Sequence, residues 1–282
     1  MEFTTSDGCA LFAYVFTPKL PYRSTVHAVA GVTGINHEKE GAMIELLANG
    51  ENRVVIMHPR GTGLSQGKRG DFLSINRLVD DLVEFIQWDR AQDPSRRVYF
   101  LYGHSMSTAL LLAAAERLEG IAGAILVNPP YLRKRAKGMS PTAWQILNYA
   151  FHYLFARHTP VVDMGGDPSR IANEEDRREA EEKRNDPLLV NILSLHSMLE
   201  VQRLLGRTLG YCRRANYPML LIHGLQDPVV ERAGCDRIFE QWQHPDKEYR
   251  LIADGGHGRS TVLGARDQIQ MWLKEHGTVR TQ

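Results

Sequence analysis

The most informative segment of this 282-residue chain is Val98-Tyr99-Phe100-Leu101-Tyr102-Gly103-His104-Ser105-Met106-Ser107. It opens with five residues suited to a buried strand, and residues 108–118 after it are rich in helix formers. A serine at the apex of a sharp turn between a strand and a helix is the context of a nucleophile elbow. Because Gly103 and Ser107 are small enough for such a turn, the pattern predicts that Ser105 is a nucleophile.

Apolar runs and helical periods alternate on both sides of this segment. The predicted strands are residues 9–16, 26–30, 53–57, 98–102 and 122–127, and the predicted helices before the elbow are 38–48 and 75–88. Repeated alternation of strand and helix predicts an α/β fold with a mostly parallel sheet covered on both faces.

This alternation stops after Pro129-Pro130 and resumes near Tyr217. Residues 133–214 contain no clear strand, so we expect a helical cap inserted into a core of residues 1–132 and 215–282. The charged residues 173–184 are interpreted as a solvated helix face. The aromatic residues 144–155 either pack the cap on the core or line an apolar substrate pocket, with Trp144 as the pocket candidate.

Two later residues complete a catalytic pattern with Ser105. Asp227 follows the apolar run 219–222, and His257 follows the short strand 249–253 within a glycine-rich loop. The chain order Ser, Asp, His is that of α/β-hydrolase triads, and all three residues lie at predicted carboxyl ends of strands. We therefore predict that His257 is the base and Asp227 the acid that orients it; Asp254 is the weaker alternative.

The remaining site candidates surround this triad. The backbone N–H of Met106 is the expected first oxyanion donor, and Val32, in the loop after an earlier strand, is the expected second. Thr33 is the alternative donor and a candidate for substrate contact. His58 lies at a strand end, where it either contacts substrate or packs in a turn.

Composition limits the function classes. A net charge of +1 gives no reason to expect a nucleic-acid partner. The three cysteines lack metal-ligand spacing, so free thiols are expected. The sequence shows neither a secretory signal nor an apolar run of about 18 residues, the length that a membrane span needs. We therefore expect a cytoplasmic protein. The basic cluster Arg133-Lys134-Arg135 with Lys137 is either solvated or gives the cap weak contact with a membrane surface. The oligomeric state is left open.

Several motifs resemble the α/β-hydrolase superfamily, and within it the branch of monoacylglycerol lipases and lysophospholipase-like serine hydrolases. They are Arg60-Gly61-Thr62-Gly63-Leu64-Ser65, Gly103-His104-Ser105-Met106, Asn185-Asp186-Pro187-Leu188, and the loops around Asp227 and His257. The resemblance implies an α/β-hydrolase fold and hydrolysis of carboxylic esters, often with one acyl chain, without metal or organic cofactor. Ala30, His58 and Ser107 stand where this branch usually has histidine, aspartate and glycine.

Three hypotheses follow. The first is a serine esterase or lipase that cleaves a small-molecule acyl ester, such as a monoacylglycerol or lysophospholipid, through an acyl-enzyme on Ser105. The second keeps the same triad and changes the reaction to that of a thioesterase, an amidase or an acyltransferase. The third is a binding protein on a hydrolase scaffold without catalysis.

Overall fold

The computed structural model describes residues 1–19, 21–92, 98–134, 143–164 and 167–277. Its strands are β1 (Glu2–Thr4), β2 (Ala10–Phe16), β3 (Ser24–Val29), β4 (Asn52–Met57), β5 (Tyr99–His104), β6 (Ile121–Val127), β7 (Pro160–Asp163), β8 (Ile192–Ser194), β9 (Met219–Gly224) and β10 (Lys247–Ile252). Its helices are α1 (Gly41–Ala48), α2 (Ile75–Gln92), α3 (Met106–Ala115), α4 (Ala143–Phe155), α5 (Glu174–Arg184), α6 (Leu195–Gly206), α7 (Thr208–Cys212), α8 (Arg232–Gln241), α9 (Arg259–Gly264) and α10 (Arg266–His276), and Pro168–Arg170 forms a 3₁₀ turn.

The main sheet of the described residues has the strand order β1-β2-β4-β3-β5-β6-β9-β10. β2 is antiparallel to both of its neighbours, β1 and β4, and the six strands from β4 to β10 in this order are parallel. Their register aligns Val29 with Gly103, and Val127 with both His104 and Ile222. The carboxyl ends of the four central strands β3, β5, β6 and β9 therefore lie at one level. With this mostly parallel strand order, the predicted α/β-hydrolase fold is confirmed.

The sheet separates two apolar cores. Side chains alternate along β5, so that Tyr99 and Leu101 are buried in one core while Phe100 and Tyr102 are buried in the other. Helices α2, α3 and α8 contribute to the first core, and α1, α9 and α10 contribute to the second. Burial on both faces explains why residues 99–102 of this strand are all large and apolar or aromatic instead of alternating with polar residues.

The region between β6 and β9 is not purely helical, which corrects one expectation. It holds α4 to α7, but β7 and β8 also pair there as a small antiparallel sheet. These strands have four and three residues, which is too short for a period of two to be recognised. The cap is residues 133–214, the limits predicted from the sequence.

The charged helix α5 is only partly solvated. Asn173 is the N-cap residue of this helix, and its side-chain oxygen accepts the backbone N–H of Asp176 at 3.1 Å. The first turn of the helix has acidic residues and its last turn has basic residues, as the helix dipole favours. However, Asp176 and Glu179 are only 6% and 8% exposed. The interpretation of residues 173–184 as a wholly solvated face is therefore wrong for these two carboxylates.

The aromatic helix α4 faces outward. Trp144 and Phe155 are both 76% exposed, and Phe151 is 56% exposed. Neither expected role, packing onto the core or lining a pocket, describes these side chains. Within the described residues, no helix combines the length and the apolar character that crossing a bilayer requires.

Candidate active site

The turn after β5 has the strained geometry that a nucleophile elbow needs. Ser105 adopts φ 54° and ψ −131°, and α3 starts at the next residue. A Cβ on Gly103 would lie 3.1 Å from the backbone of Thr108, so the turn leaves little room for a larger residue. The Ser107 hydroxyl accepts the His104 N–H at 2.8 Å and donates to the His104 carbonyl oxygen at 2.7 Å, so this serine braces the elbow.

Three loops at the carboxyl edge of the sheet bring the predicted triad together. The Ser105 hydroxyl donates to His257 Nε2, with 2.9 Å between the heavy atoms. His257 Nδ1 lies 2.8 Å from Oδ2 of Asp227. The other oxygen of Asp227 accepts the backbone N–H groups of Val229 and Val230 at 2.7 and 2.9 Å. The carboxylate is thus held at a fixed angle to the imidazole.

Asp227 is suited to remain ionised beside the ring. Burial alone would raise the pKa of Asp227, but hydrogen bonding to His257, the charge of His257 and the two backbone N–H groups outweigh it and lower the pKa. Asp254, the alternative acid, is exposed, and its carboxylate accepts from Gln226 Nε2 at 3.4 Å. The structure therefore brings Asp227, and not Asp254, to His257.

Two further side chains fix the backbone of the histidine loop. Asn128, directly after β6, donates from Nδ2 to the carbonyl oxygens of Gly256 and His257 at 3.1 and 3.2 Å, and its Oδ1 accepts the Gly224 N–H at 3.0 Å. His104 Nε2 donates to the same His257 carbonyl. Burial, with the charge of His257, lowers the pKa of His104 to about 4, so this ring is neutral at pH 7. No sequence motif predicts this role for Asn128.

A cavity of about 400 Å³ opens at Ser105 and His257 between the core and the cap. Its walls are mostly apolar and include Val29, Ile35 and Met43 from the core and Met164, Ile171 and Leu189 from the cap. Charged residues of the core and the cap, among them Lys39, Lys183 and Arg259, complete the lining. A mostly apolar cavity that also presents polar groups is typical of a site for a small-molecule ligand.

The expected oxyanion donors lie beside Ser105, the predicted nucleophile. Met106 lines the cavity and is the first residue of α3, where a backbone N–H has no acceptor within the helix. The side chain of Val32 packs into the core, while its chain neighbours Gly31 and Thr33 both line the cavity. A Cβ on Gly31 would lie 4.0 Å from the Ser107 nitrogen, so this loop runs against the elbow.

Two of the predicted substrate contacts need correction. His58 is fully buried outside the cavity, and its Nδ1 accepts the Leu64 N–H at 3.1 Å, so it stabilises the turn after β4. Trp144 also lies outside the cavity lining and faces solvent from α4. Thr33 does line the cavity. Within the described ranges, no group of three or more His, Cys, Asp or Glu residues is arranged to hold a metal ion.

The same architecture occurs in known lipases. Human monoglyceride lipase is 25% identical in sequence, with 97% of this chain and 90% of the human protein covered. The crystal structure of Paleococcus ferrophilus monoacylglycerol lipase is similar with a TM-score of 0.73 at 23% identity, covering 94% of this chain and 99% of that chain. A soluble variant of monoglyceride lipase from Saccharomyces cerevisiae, in complex with a substrate analog, gives a TM-score of 0.80 at 17% identity, covering 99% and 96%.

Family membership follows from a match over most of the chain. The profile of the family described as "Serine aminopeptidase, S33" matches residues 23–260, a range that includes the elbow, the cap and the loops of Asp227 and His257. The motif resemblance to α/β-hydrolases is thereby confirmed at the level of the family. This chain belongs to the serine aminopeptidase S33 family of α/β-hydrolases.

Proposed function

We propose that the protein is a serine hydrolase that cleaves carboxylic esters carrying a single acyl chain, such as monoacylglycerols, through an acyl-enzyme on Ser105. The hydrogen-bonded chain from Ser105 through His257 to Asp227 is the observation that carries this proposal. A serine hydroxyl needs an adjacent base to become a nucleophile, and the base needs an acceptor that fixes its tautomer.

The reaction proceeds in two halves. Ser105 Oγ attacks the ester carbonyl carbon while His257 Nε2 takes the hydroxyl proton, and the N–H groups of Met106 and Val32 stabilise the oxyanion. His257 then returns the proton to the alcohol oxygen as the ester bond breaks, which leaves an acyl-enzyme. Water, deprotonated by His257, releases the carboxylic acid and restores Ser105.

The charges around the cavity favour a neutral substrate. Lys39 pairs with Asp186 at 2.8 Å, and Lys183 pairs with Glu40 at 2.9 Å. Another cation of the lining, Arg259, pairs with a cap carboxylate in the same way. An anionic headgroup that bound Lys39, Lys183 or Arg259 would have to displace one of these carboxylates, and the fourth Lys or Arg of the lining, Arg184, is exposed. We therefore expect the protein to prefer monoacylglycerols over lysophospholipids with an anionic phosphate.

The function is tested with the intact protein and a Ser105→Ala variant. We expect wild-type protein to hydrolyse 1-monooleoylglycerol and to react with a fluorophosphonate at Ser105. The variant should lose turnover by about 10⁴-fold or more, because the nucleophile of the triad is removed. Normal ester hydrolysis by Ser105→Ala would contradict the proposal. Lysophosphatidic acid with the same acyl chain tests the preference for a neutral headgroup, and matching thioesters and anilides test the reaction type.

We also propose that the cap makes weak contact with a membrane surface through α4. Exposed apolar side chains on one short helix are the support, since their transfer from water to a lipid interface is favourable. The basic cluster contributes less. Arg133 bonds Gln202, Lys134 donates to the Asp227 carbonyl oxygen, and Arg135 and Lys137 lie outside the described residues.

Vesicle sedimentation tests this contact. The double variant Trp144→Ser, Phe155→Ser should bind neutral phosphatidylcholine vesicles more weakly than wild-type protein does. Met271→Ser, which removes an apolar side chain of α10 that is 63% exposed, is the control and should bind like wild type. Equal binding by all three proteins, or binding that requires anionic lipid, would contradict the role of α4.

A cytoplasmic location completes the proposal. Cys9, Cys212 and Cys235 are all free and buried, which is compatible with a reducing compartment. Secretion through an oxidising compartment in living cells would contradict this part alone.

A further inference from the structure

A carboxylate of the cap binds the backbone that follows the candidate base. Oδ2 of Asp176, on α5, accepts the N–H of Gly258 at 3.0 Å, and Oδ1 accepts the N–H of Ser260 at 2.8 Å. Gly258 is the residue next to His257 in the chain. Asp176 thus spans the first turn after the catalytic imidazole.

A second carboxylate accepts the backbone N–H of the residue between Gly258 and Ser260. Oε2 of Glu179, one helical turn after Asp176, accepts the N–H of Arg259 at 2.6 Å. The three consecutive N–H groups of residues 258–260 therefore all end on cap carboxylates. Because these groups begin α9, they have no acceptors within that helix. Burial of both carboxylates leaves water little access to replace them.

Glu179 is also tied to the core. Lys183 Nζ lies 2.5 Å from Oε1 of Glu179 and 2.9 Å from Oε1 of Glu40, the residue that precedes α1. Burial would raise the pKa of Glu179, but the charge and hydrogen bond of Lys183 and the N–H of Arg259 outweigh it and lower the pKa. The carboxylate is therefore ionised and held from both sides.

The glycines on either side of His257 leave room for the two cap carboxylates. A Cβ on Gly256 would lie 2.2 Å from Oδ2 of Asp176, and a Cβ on Gly258 would lie 2.3 Å from Oε2 of Glu179. Neither glycine has a φ in the left-handed region, so a positive φ is not the reason for them. Both positions instead need glycine because the cap carboxylates pack directly against the loop.

One face of α5 carries the whole arrangement. Asn173, three residues before Asp176, donates from Nδ2 to the Asp254 carbonyl oxygen at 3.0 Å. Positions 173, 176 and 179 are spaced by three and lie on one side of a helix. This face contacts the loop from residue 254 to residue 260, with His257 at its centre.

We propose that Asp176 and Glu179 are positioning residues for His257, so that the catalytic base is correctly placed only when α5 of the cap is seated on the core. The inference rests on the proposed function, in which His257 is the base. A glycine-rich loop has many conformations to lose, and these bonds select the one in which Nε2 faces Ser105. Small misplacements of a catalytic group reduce the rate strongly.

The test compares Asp176→Ala and Asp176→Asn with Glu181→Gln, which removes one charge from the exposed side of the same helix. For a p-nitrophenyl ester we expect kcat to fall roughly 10²-fold in Asp176→Ala, as for a base misplaced by about 1 Å. Asp176→Asn keeps one acceptor oxygen and should lose less. The KM for this small ester should change little, and Glu181→Gln should keep the wild-type kcat.

A spectroscopic measurement separates positioning from general destabilisation. The Nδ1 proton of His257, shared with Asp227, should give a downfield proton resonance in wild type and in Glu181→Gln. This resonance should broaden or vanish in folded Asp176→Ala. If that variant does not fold, Gly258→Ala replaces it, because its Cβ displaces Glu179 without removing a charge.

Wild-type kcat and an unchanged resonance in the folded Asp176 variant, or in Gly258→Ala, would overturn the inference. Failure of the proposed function looks different. In that case the wild-type protein itself hydrolyses no ester and Ser105 does not react with a fluorophosphonate. The resonance would then still report whether α5 positions His257.

Discussion

The side-chain amide of Asn128 donates to the carbonyl oxygen of His257 across 3.2 Å, which links the end of β6 directly to the candidate base. Asn128 adopts φ 47°, a left-handed conformation that asparagine tolerates better than most residues. Its oxygen accepts the N–H of Gly224 at the end of β9. A single buried amide thus joins three of the loops around the site.

We expect Asn128→Asp to reduce both stability and kcat. The substitution keeps the acceptor for Gly224 but replaces the two N–H donors with a carboxylate oxygen facing two carbonyl oxygens. Loss of these bonds in a buried place should lower the free energy of unfolding by about 1–3 kcal/mol. Urea unfolding and ester kinetics measure the two effects. An unchanged unfolding midpoint with wild-type kcat would contradict the role of this amide.

Asp227→Asn should nearly abolish turnover while leaving the fold intact. An asparagine at this position favours the wrong imidazole tautomer, and in serine proteases the equivalent change lowers kcat by about 10⁴-fold. Asp254→Asn is the matched control, because Asp254 is exposed and three residues from His257 in the chain. Comparable losses in the two variants would show that Asp227 is not the acid of the triad.

Ser107→Ala should lower the free energy of unfolding but leave Ser105 reactive. The variant loses two hydrogen bonds with the backbone of His104, at 2.8 and 2.7 Å. Each such bond contributes about 1 kcal/mol, so thermal or urea unfolding should show a loss of about 1–2 kcal/mol. Because the triad atoms remain, fluorophosphonate labelling of Ser105 should persist. Undiminished stability would mean that the hydroxyl does not brace the turn.

Stability should decrease as the pH falls from 7 to 5. Burial lowers the pKa of both His58 and His104 to about 4 in the folded protein, below their ordinary value of 6.5. In this window the unfolded chain binds protons at these rings that the folded chain does not, so acid favours unfolding. At pH 5 each histidine should remove about 2 kcal/mol from the free energy of unfolding.

The variant His58→Asn isolates one of these contributions. It lacks the titrating ring, so its free energy of unfolding should fall about 2 kcal/mol less than that of wild type between pH 7 and pH 5. Urea unfolding at each pH measures the difference. Equal pH dependence in the two proteins would mean that His58 is protonated as readily when folded as when unfolded.

Much of the core was predictable because its signals are local. The apolar runs of β3 to β6 and β9 were recognised within one or two residues, since these strands are buried on both faces. The three-residue β1 and the pair β7 and β8 were missed, because such short strands show no usable period. The prediction that α5 is solvated was wrong for Asp176 and Glu179 for a related reason. The sequence of a charged helix face is the same whether its carboxylates bind water or backbone N–H groups.

The order of residues along the chain determined the class of the fold and the residue types suited to nucleophile, base and acid, because strand period, turn size and chain order are properties of neighbouring residues. The tertiary structure alone decided which side chains meet. It placed Asn128 and Asp176 against the loop of His257, and it removed His58 and Trp144 from the cavity. Contacts between segments distant in sequence depend on how helices pack on the sheet. The periodic pattern of a segment indicates which of its faces is buried, but not which other segment covers that face.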